Sequence, residues 1–306
     1  MKLIRKAAAL VLLAGIITST GFVDKFKEIF SPGQEETEPE CDDITPKRGK
    51  YAPKETESEA KATFSDSVTV MNESSGWYCQ HMKDGTRPPI PSEMSYITEH
   101  GGYYIGEDEK VIYLTFDAGY ENGNVEKILN TLKQENVPGA FFILDNLAKT
   151  NTDLVKRMVD EGHTVCNHTA KHKDMTKMTS KEDFAAELRA MEDVYRDKIG
   201  GEIARYYRPP EGKFNEQNLA WADELGYKTI FWSFAYADWD NANQMSREKA
   251  IEKIITNTHN GEVILLHPTS KTNAEILPEL IAKWREMGFT FGTLDELTGQ
   301  KGEHDE

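Results

Sequence analysis

Cysteine and basic residues are scarce in this chain, and both shortages exclude classes of protein. The three cysteines, Cys41, Cys79 and Cys166, are too few and too scattered for a disulfide framework or a zinc site built of cysteines. Lysine and arginine number 36 against 52 acidic residues, and the resulting net charge of −16 argues against a nucleic-acid partner. At 306 residues and 38% hydrophobic content, the chain is nevertheless long enough for one large core.

Long apolar runs are also rare, and the most prominent one lies near the N-terminus. Lys2, Arg5 and Lys6 precede seventeen uncharged residues from Ala7 to Val23, which is the layout of an export signal. The run is shorter than the ~20 residues that usually span a bilayer, but no clean small-residue cleavage site follows it. We therefore predict a signal peptide or a retained membrane anchor over residues 1–23, and a body that lies outside the cytoplasm.

The next segment has a composition unlike that of a packed domain. Residues 24–67 are rich in glutamate, aspartate and proline and poor in apolar residues, so we predict an acidic disordered linker. Residues 68–110, which include Trp77, Tyr78, Tyr103 and Tyr104, are expected to wrap around the outside of the following domain. Residues 299–306 are expected to form a polar tail.

From Val111 onward, short apolar runs alternate with stretches of helical periodicity. Strand-like runs are centred on 111–116, 140–144, 164–166, 206–207, 229–232, 263–266 and 289–291. Each of the first six is followed by apolar residues at helical spacing, such as Val125, Ile128, Leu129 and Leu132 after the first. This alternation predicts a parallel sheet, either open and doubly wound or closed into a barrel.

Five short polar segments stand at the ends of these runs. They are Thr115-Phe116-Asp117, His168-Thr169-Ala170-Lys171-His172, Arg208-Pro209-Pro210-Glu211-Gly212, Asp238-Trp239 and Leu265-Leu266-His267. A βα-barrel builds its site from several such strand-end loops, whereas an open sheet gathers ligands near one switch point. We therefore favour an α/β fold, a deformed parallel (β/α) barrel of seven to eight strands.

Each polar residue also has an ordinary structural explanation. His168 and His172 are four apart and would face the same side of a helix's first turn, where they could chelate one cation, but surface helices often carry such pairs by chance. Asp117 could cap a helix, Asp238 could form an ion pair with Arg208, and His267 could be a core histidine. A common site for metal-assisted hydrolysis explains all of them together.

These ordered motifs resemble the five-motif pattern of the polysaccharide deacetylases with a NodB-type homology domain, carbohydrate esterase family four. The resemblance covers about residues 110–298, so residues 111–298 are predicted to be the catalytic domain. It implies a deformed (β/α) barrel that removes N-acetyl groups from amino-sugar polymers with a bound divalent metal.

The resemblance also implies roles for particular residues. Asp117 matches the general base, His267 the acid, Arg208 the partner of the base and Asp238 the partner of the acid. His168 and His172 match the metal ligands. Trp239, whose indole could stack on a sugar face or pack in the core, and Tyr120 are the expected substrate contacts.

One position departs from the family pattern. Most members have a second aspartate after the base, which completes a His-His-Asp metal triad, and Ala118 stands there in this sequence. We therefore expect a divalent metal, with zinc as the first candidate, held by a weak site.

The run from Asp117 to Gly123, Asp-Ala-Gly-Tyr-Glu-Asn-Gly, resembles the delta-lactam-biosynthetic N-acetylmuramic acid deacetylases of spore formers. That group implies de-N-acetylation of muramic acid in peptide-free peptidoglycan strands, toward muramic-δ-lactam of spore cortex, with an amidase that first removes the stem peptides. Two alternatives remain. One is a deacetylase of N-acetylglucosamine in peptidoglycan or a chitin-like polymer, or an acetyl-ester hydrolase, and the other is a wall-binding protein whose site has decayed at Ala118.

Overall fold

The computed structural model describes residues 73–300. The predicted signal peptide or anchor (1–23), the predicted linker (24–67) and most of the predicted polar tail lie outside these residues. No helix within 73–300 is both long and apolar enough to cross a membrane.

Eleven strands are present in this part of the chain. They are β1 (Ser75–Gly76), β2 (Gly102–Tyr103), β3 (Val111–Ala118), β4 (Ala140–Ile143), β5 (Thr164–Asn167), β6 (Ala204–Tyr207), β7 (Lys213–Phe214), β8 (Lys228–Ile230), β9 (Phe234–Ala235), β10 (Glu262–Leu266) and β11 (Thr290–Phe291).

The α-helices alternate with the longer strands. They are α1 (Val125–Glu135), α2 (Asp145–Thr150), α3 (Thr152–Asp160), α4 (Lys181–Lys198), α5 (Glu216–Glu224), α6 (Arg247–Asn257), α7 (Lys271–Glu286) and α8 (Leu294–Thr298). Short 3₁₀ helices cover Ser92–His100, Met175–Lys177 and Pro210–Gly212.

One parallel sheet organises the domain. Its strand order is β2-β8-β6-β5-β4-β3-β10-β9, and β11 pairs with the beginning of β3. An isolated bridge between Ile105, two residues after β2, and Glu262 of β10 links the two sides of this order. The sheet is therefore curled into an incomplete barrel, and the predicted fold class is confirmed.

The central strand β3 shows why the sheet is buried on both faces. Ile112, Leu114 and Phe116 belong to the hydrophobic cluster that includes helices α1 and α7, whereas Tyr113 belongs to a second cluster with Phe142 of β4. A strand that is covered on both faces has apolar residues at nearly every position, and residues 111–116 show this pattern in the sequence.

The structure differs from the predicted elements in several places. The single helix expected between β4 and β5 is two helices, because Asn151 between them has non-helical backbone angles (φ −132°, ψ 47°). The sheet also begins at β2, before the first predicted strand, and β9 was not predicted at all. Two-residue strands carry no periodic signal, so only their tertiary pairing reveals them.

Residues 73–110 pack against the domain through a third apolar cluster. Trp77, Met94 and Ile97 are buried with Phe214 and Phe231. The Trp77 indole N–H also donates a hydrogen bond to the Trp232 carbonyl at 2.9 Å.

Candidate active site

Arg208 is the structural centre of one side of the site. It follows β6, is fully buried, and its Nη1 donates to Asp117 Oδ1 at 2.8 Å. Nη2 donates to Thr115 Oγ1 at 2.9 Å, and Nε donates to the Ile230 carbonyl at 2.9 Å. The guanidinium also lies over the Phe142 ring, 4.1 Å from its centroid. Arg208 is thus held in one orientation and presents a fixed cation to Asp117.

Asp117 stands near the carboxyl end of β3 with a side chain only 10% exposed. Burial alone would raise the pKa of this carboxyl, but the charges of Arg208, His168 and His267, with the hydrogen bond from Arg208, outweigh burial and lower the pKa. The carboxyl is therefore ionised at neutral pH.

His168 follows β5 and is nearly fully buried. Its Nδ1 lies 2.9 Å from the Arg208 carbonyl oxygen, and because a carbonyl can only accept, Nδ1 carries the proton. Burial, opposed by Asp117 and assisted by His172, lowers the pKa of His168 to about 4. The ring is thus neutral at pH 7, with an unprotonated Nε2 that lies 3.6 Å from Asp117 Oδ2.

His172 lies beside His168, with the two ring centroids 5.0 Å apart. The prediction that both histidines occupy the first turn of a helix is wrong. Residues 168–174 form an irregular loop in which Thr169 (φ 71°) and His172 (φ 53°) have left-handed backbone angles. The pair converges because Asn167 Oδ1 accepts from Thr169 N at 2.8 Å and Thr169 Oγ1 accepts from His172 N at 2.9 Å.

A second group of residues follows β9 and β10. Asp238 is buried, and its Oδ1 accepts from His267 Nδ1 at 2.7 Å while Oδ2 accepts from the His267 backbone N–H at 2.8 Å. Asn273 of α7 donates from Nδ2 to Asp238 Oδ2 at 2.5 Å and to the His267 carbonyl at 3.1 Å. Tyr236 donates in turn to Asn273 Oδ1. This network fixes both the ring orientation of His267 and its protonated nitrogen.

The pKa of His267 moves in the direction opposite to that of His168. Burial would lower it, but the hydrogen bond and charge of Asp238, together with the charge of Asp117, raise it above the ordinary value. The side chain remains 27% exposed. His267 is therefore a histidine that retains its proton to higher pH than a free one.

The alternative ion pair between Asp238 and Arg208 is excluded by these contacts. Arg208 pairs with Asp117, and Asp238 pairs with His267. Likewise, Trp239 is not a core residue, because it is 62% exposed and its ring lies 6.3 Å from that of His267.

Tyr120 is 46% exposed, and its hydroxyl accepts from Asn241 Nδ2 at 2.8 Å. Because Asn241 is two residues beyond Trp239, this bond connects the loops that carry the two expected substrate contacts.

Ala118 is fully buried and belongs to the main hydrophobic cluster, which also includes Ile143 and Ala170. At this position the chain contributes apolar packing rather than a ligand. Among residues 73–300, no group of three or more His, Cys, Asp and Glu side chains is arranged to hold a metal ion.

The two histidines nevertheless fit a divalent cation. His168 is neutral, as a ligand must be, and its Nδ1 hydrogen bond leaves Nε2 available beside His172 and near the Asp117 carboxylate. Two imidazoles without a carboxylate ligand hold such a cation more weakly than a full triad.

Four residues contact site residues or their loops although the motifs assigned them no role: Thr115, Asn167, Glu187 and Asn273. Asn273 lies six residues after His267, near the start of a helix, where a polar residue is ordinary. Of these four residues, only Thr115 could have been identified from the sequence, because it is a polar residue within an otherwise apolar strand.

Comparison with known proteins agrees with this arrangement. The sequence model of the polysaccharide deacetylases matches residues 105–230. The peptidoglycan-N-acetylmuramic acid deacetylase PdaA of Bacillus subtilis is 38% identical over 235 residues, which cover 76% of this chain and 89% of PdaA. The chain belongs to the polysaccharide deacetylase family, and it is accordingly a hydrolase of amide bonds.

Two further comparisons place it within that family. The structure of Bacillus subtilis PdaA, described as a family 4 carbohydrate esterase, matches with a TM-score of 0.72 and 36% identity, covering 75% of this chain and 98% of the other. The peptidoglycan-N-acetylglucosamine deacetylase PgdA of Listeria monocytogenes is 34% identical over 192 residues, which cover 63% of this chain and 40% of PgdA.

Proposed function

We propose that this protein removes the acetyl group from N-acetylmuramic acid in peptidoglycan, acting on strands from which the stem peptides have been removed. The similarity to PdaA supports this substrate. The main support for this reaction is that Asp117, whose pKa is lowered, and His267, whose pKa is raised, lie at the same edge of one sheet.

Asp117 serves as the general base. As an ionised carboxylate oriented by Arg208, it accepts a proton from the water that attacks the acetamide carbonyl carbon. The guanidinium keeps the carboxylate ionised, and the buried position limits competition from solvent.

His267 serves as the general acid. Asp238 stabilises its protonated form, and the remaining nitrogen, Nε2, donates a proton to the departing amine. Collapse of the tetrahedral centre breaks the carbon–nitrogen bond and releases acetate and a free amine.

We propose His168 and His172 as the ligands of a divalent metal, with zinc as the expected ion. When bound, the ion would supply Lewis-acid polarisation of the acetamide carbonyl. The neutral state of His168 and its Nδ1 hydrogen bond to the Arg208 carbonyl support this assignment.

Trp239 and Tyr120 are the proposed substrate contacts. Both are exposed, and Trp239 adjoins His267, so its indole is available to stack on the apolar face of a sugar. Their loops are joined through Asn241.

The biological setting follows from this substrate. Peptidoglycan lies outside the cytoplasm, which agrees with the predicted signal peptide or anchor over 1–23 and with a membrane attachment if that segment is retained. The free amine can condense with the lactyl carboxyl of the same sugar, with loss of water, toward the muramic-δ-lactam of spore cortex. An amidase that removes the stem peptides would act first.

The similarity to PgdA favours one second candidate, a deacetylase of N-acetylglucosamine in peptidoglycan. The same base, acid and metal ligands would serve that reaction. The two candidates differ in whether the site accepts the lactyl group of muramic acid.

The test is mass spectrometry of muropeptides after the full chain is incubated with peptide-free and intact peptidoglycan, with and without added zinc. We expect acetyl loss from muramic acid in the peptide-free sample supplied with metal. Acetyl loss from glucosamine would favour the second candidate, and a further loss of water would show lactam closure. No change in any sample would favour a wall-binding protein with a decayed site.

A further inference from the structure

The loop that carries His168 and His172 is held in an unusual backbone conformation. Thr169 and His172 both have positive φ, although neither is glycine. Side chains with a Cβ rarely adopt this conformation, so hydrogen bonds within the loop and from neighbouring elements must maintain it.

Glu187 of helix α4 makes such contacts. Its Oε1 accepts from the Lys171 backbone N–H at 2.8 Å, and its Oε2 accepts from Lys173 Nζ at 2.8 Å. These two residues stand on either side of His172. Glu187 is only 6% exposed, so both hydrogen bonds are made by a buried carboxylate on a regular helix.

The same part of α4 holds the beginning of the loop. Asn167, whose Oδ1 accepts from Thr169 N, donates from Nδ2 to the carbonyl of Leu188, the residue after Glu187. On the other side, Lys171 Nζ lies 2.7 Å from Asp145 Oδ2 at the start of α2. The loop is therefore attached to two helices, and Glu187 contacts the residues on both sides of His172, whereas Asp145 contacts the residue on one side.

We propose that Glu187 is a positioning residue for the metal site, which holds the backbone N–H of Lys171 and the side chain of Lys173, on either side of His172, so that the His172 imidazole faces that of His168. This inference rests on the proposed function, in which the two histidines bind the metal. A site with two histidines and no carboxylate ligand binds the ion weakly, so its affinity depends strongly on a preorganised loop. Ordering the loop backbone only when the ion binds would cost entropy and weaken binding further.

The contribution of Glu187 differs from that of a buried carboxylate that serves only the fold. Glu161 provides the matched comparison, because it is also largely buried and pairs with two cations, Lys133 at 3.0 Å and Arg157 at 2.7 Å. Those partners belong to α1 and α3 rather than to the histidine loop.

The experiment measures zinc affinity of the full chain by competition with a chromophoric chelator, and records the absorption spectrum of the cobalt-loaded protein. We expect Glu187→Ala to weaken zinc binding by about 10–100-fold and to alter the cobalt spectrum. Glu187→Gln retains an acceptor for the Lys171 N–H and should recover part of the affinity. Glu161→Ala should bind zinc like the wild type, even if its thermal unfolding temperature falls.

Hydrogen exchange of the metal-free protein supplies a separate measurement. The Lys171 amide should exchange faster in Glu187→Ala than in the wild type, because its acceptor is gone. Wild-type zinc affinity and an unchanged cobalt spectrum in a folded Glu187→Ala would overturn the positioning role while leaving the proposed function intact. Failure of the wild type itself to bind zinc or cobalt would overturn the proposed metal site and this role with it.

Discussion

Two histidines, buried His168 after β5 and partly exposed His267 after β10, have pKa values shifted in opposite directions. His168, in the arginine-side cluster of Asp117, His168 and Arg208, donates from Nδ1 to a backbone carbonyl, and its pKa is lowered to about 4. His267, in the Asp238 cluster of Asp238, His267 and Asn273, donates from Nδ1 to a carboxylate, and its pKa is raised.

The difference teaches that the hydrogen-bond partner, together with the degree of burial, determines the charge of each ring. Burial disfavours the protonated form of both histidines. A neutral carbonyl orients His168 but does not stabilise a positive charge enough to offset burial, so the ring suits a metal. A carboxylate both orients and stabilises protonated His267, so the ring suits proton donation.

The largest expected effect comes from the carboxylate of the arginine-side cluster. Asp117→Asn removes the proposed base and leaves Arg208 without its anionic partner, so we expect kcat for acetate release to fall by about 10²–10⁴-fold. Asp153→Asn, on the exposed surface of α3, serves as the control and should retain activity. Near wild-type turnover by a folded Asp117→Asn protein would contradict the proposed role.

Two further substitutions test whether metal binding involves the arginine side of the site but not the Asp238 cluster. His172→Ala should weaken zinc binding by at least about 100-fold because it removes one of two proposed ligands. Asp238→Asn should leave zinc affinity unchanged. Equal losses in the two variants, measured by chelator competition, would show that the metal does not belong to the arginine side alone.

The pH profile of kcat tests the Asp238 cluster. Because His267 must be protonated to donate, activity declines as pH rises through its pKa, and a raised pKa moves this decline to higher pH. Asp238→Asn removes the stabilising charge, so the alkaline limb should move to lower pH by about 1–2 units. An unshifted limb would mean that another group controls it.

The smallest effect is expected at the exposed edge of the Asp238 cluster. Trp239→Ala should raise KM for glycan substrates by about 2–10-fold, the range expected for loss of one aromatic stacking contact. The thermal unfolding temperature should stay unchanged because the side chain is 62% exposed. A large fall in that temperature with an unaltered KM would indicate a structural role instead.

Much of the fold was predictable from local pattern. The apolar runs that became β3, β4 and β10 are buried on both faces, and the helical spacing in α1 and α7 matches their buried stripes. The break at Asn151 and the two-residue strands β2 and β9 were not predictable, because a strand that short has no period and depends on its neighbours.

The candidate site divides in the same way. The order and spacing of the motifs predicted six of the site residues: Asp117, His168, His172, Arg208, Asp238 and His267. The left-handed loop around His172 and the supporting role of Asn273 could not be derived, since each depends on residues distant in the chain.

The sequence by itself determined which side chains stand at the carboxyl ends of the strands, because strand periodicity and motif spacing are local properties of the chain. The family resemblance implied that Arg208 pairs with Asp117 and Asp238 with His267, but only the tertiary structure decided the burial and the distances of these pairs, and therefore which groups hold protons at neutral pH. The physical reason is that a pKa depends on burial and on charges a few ångströms away, and those neighbours are brought together by folding rather than by sequence order.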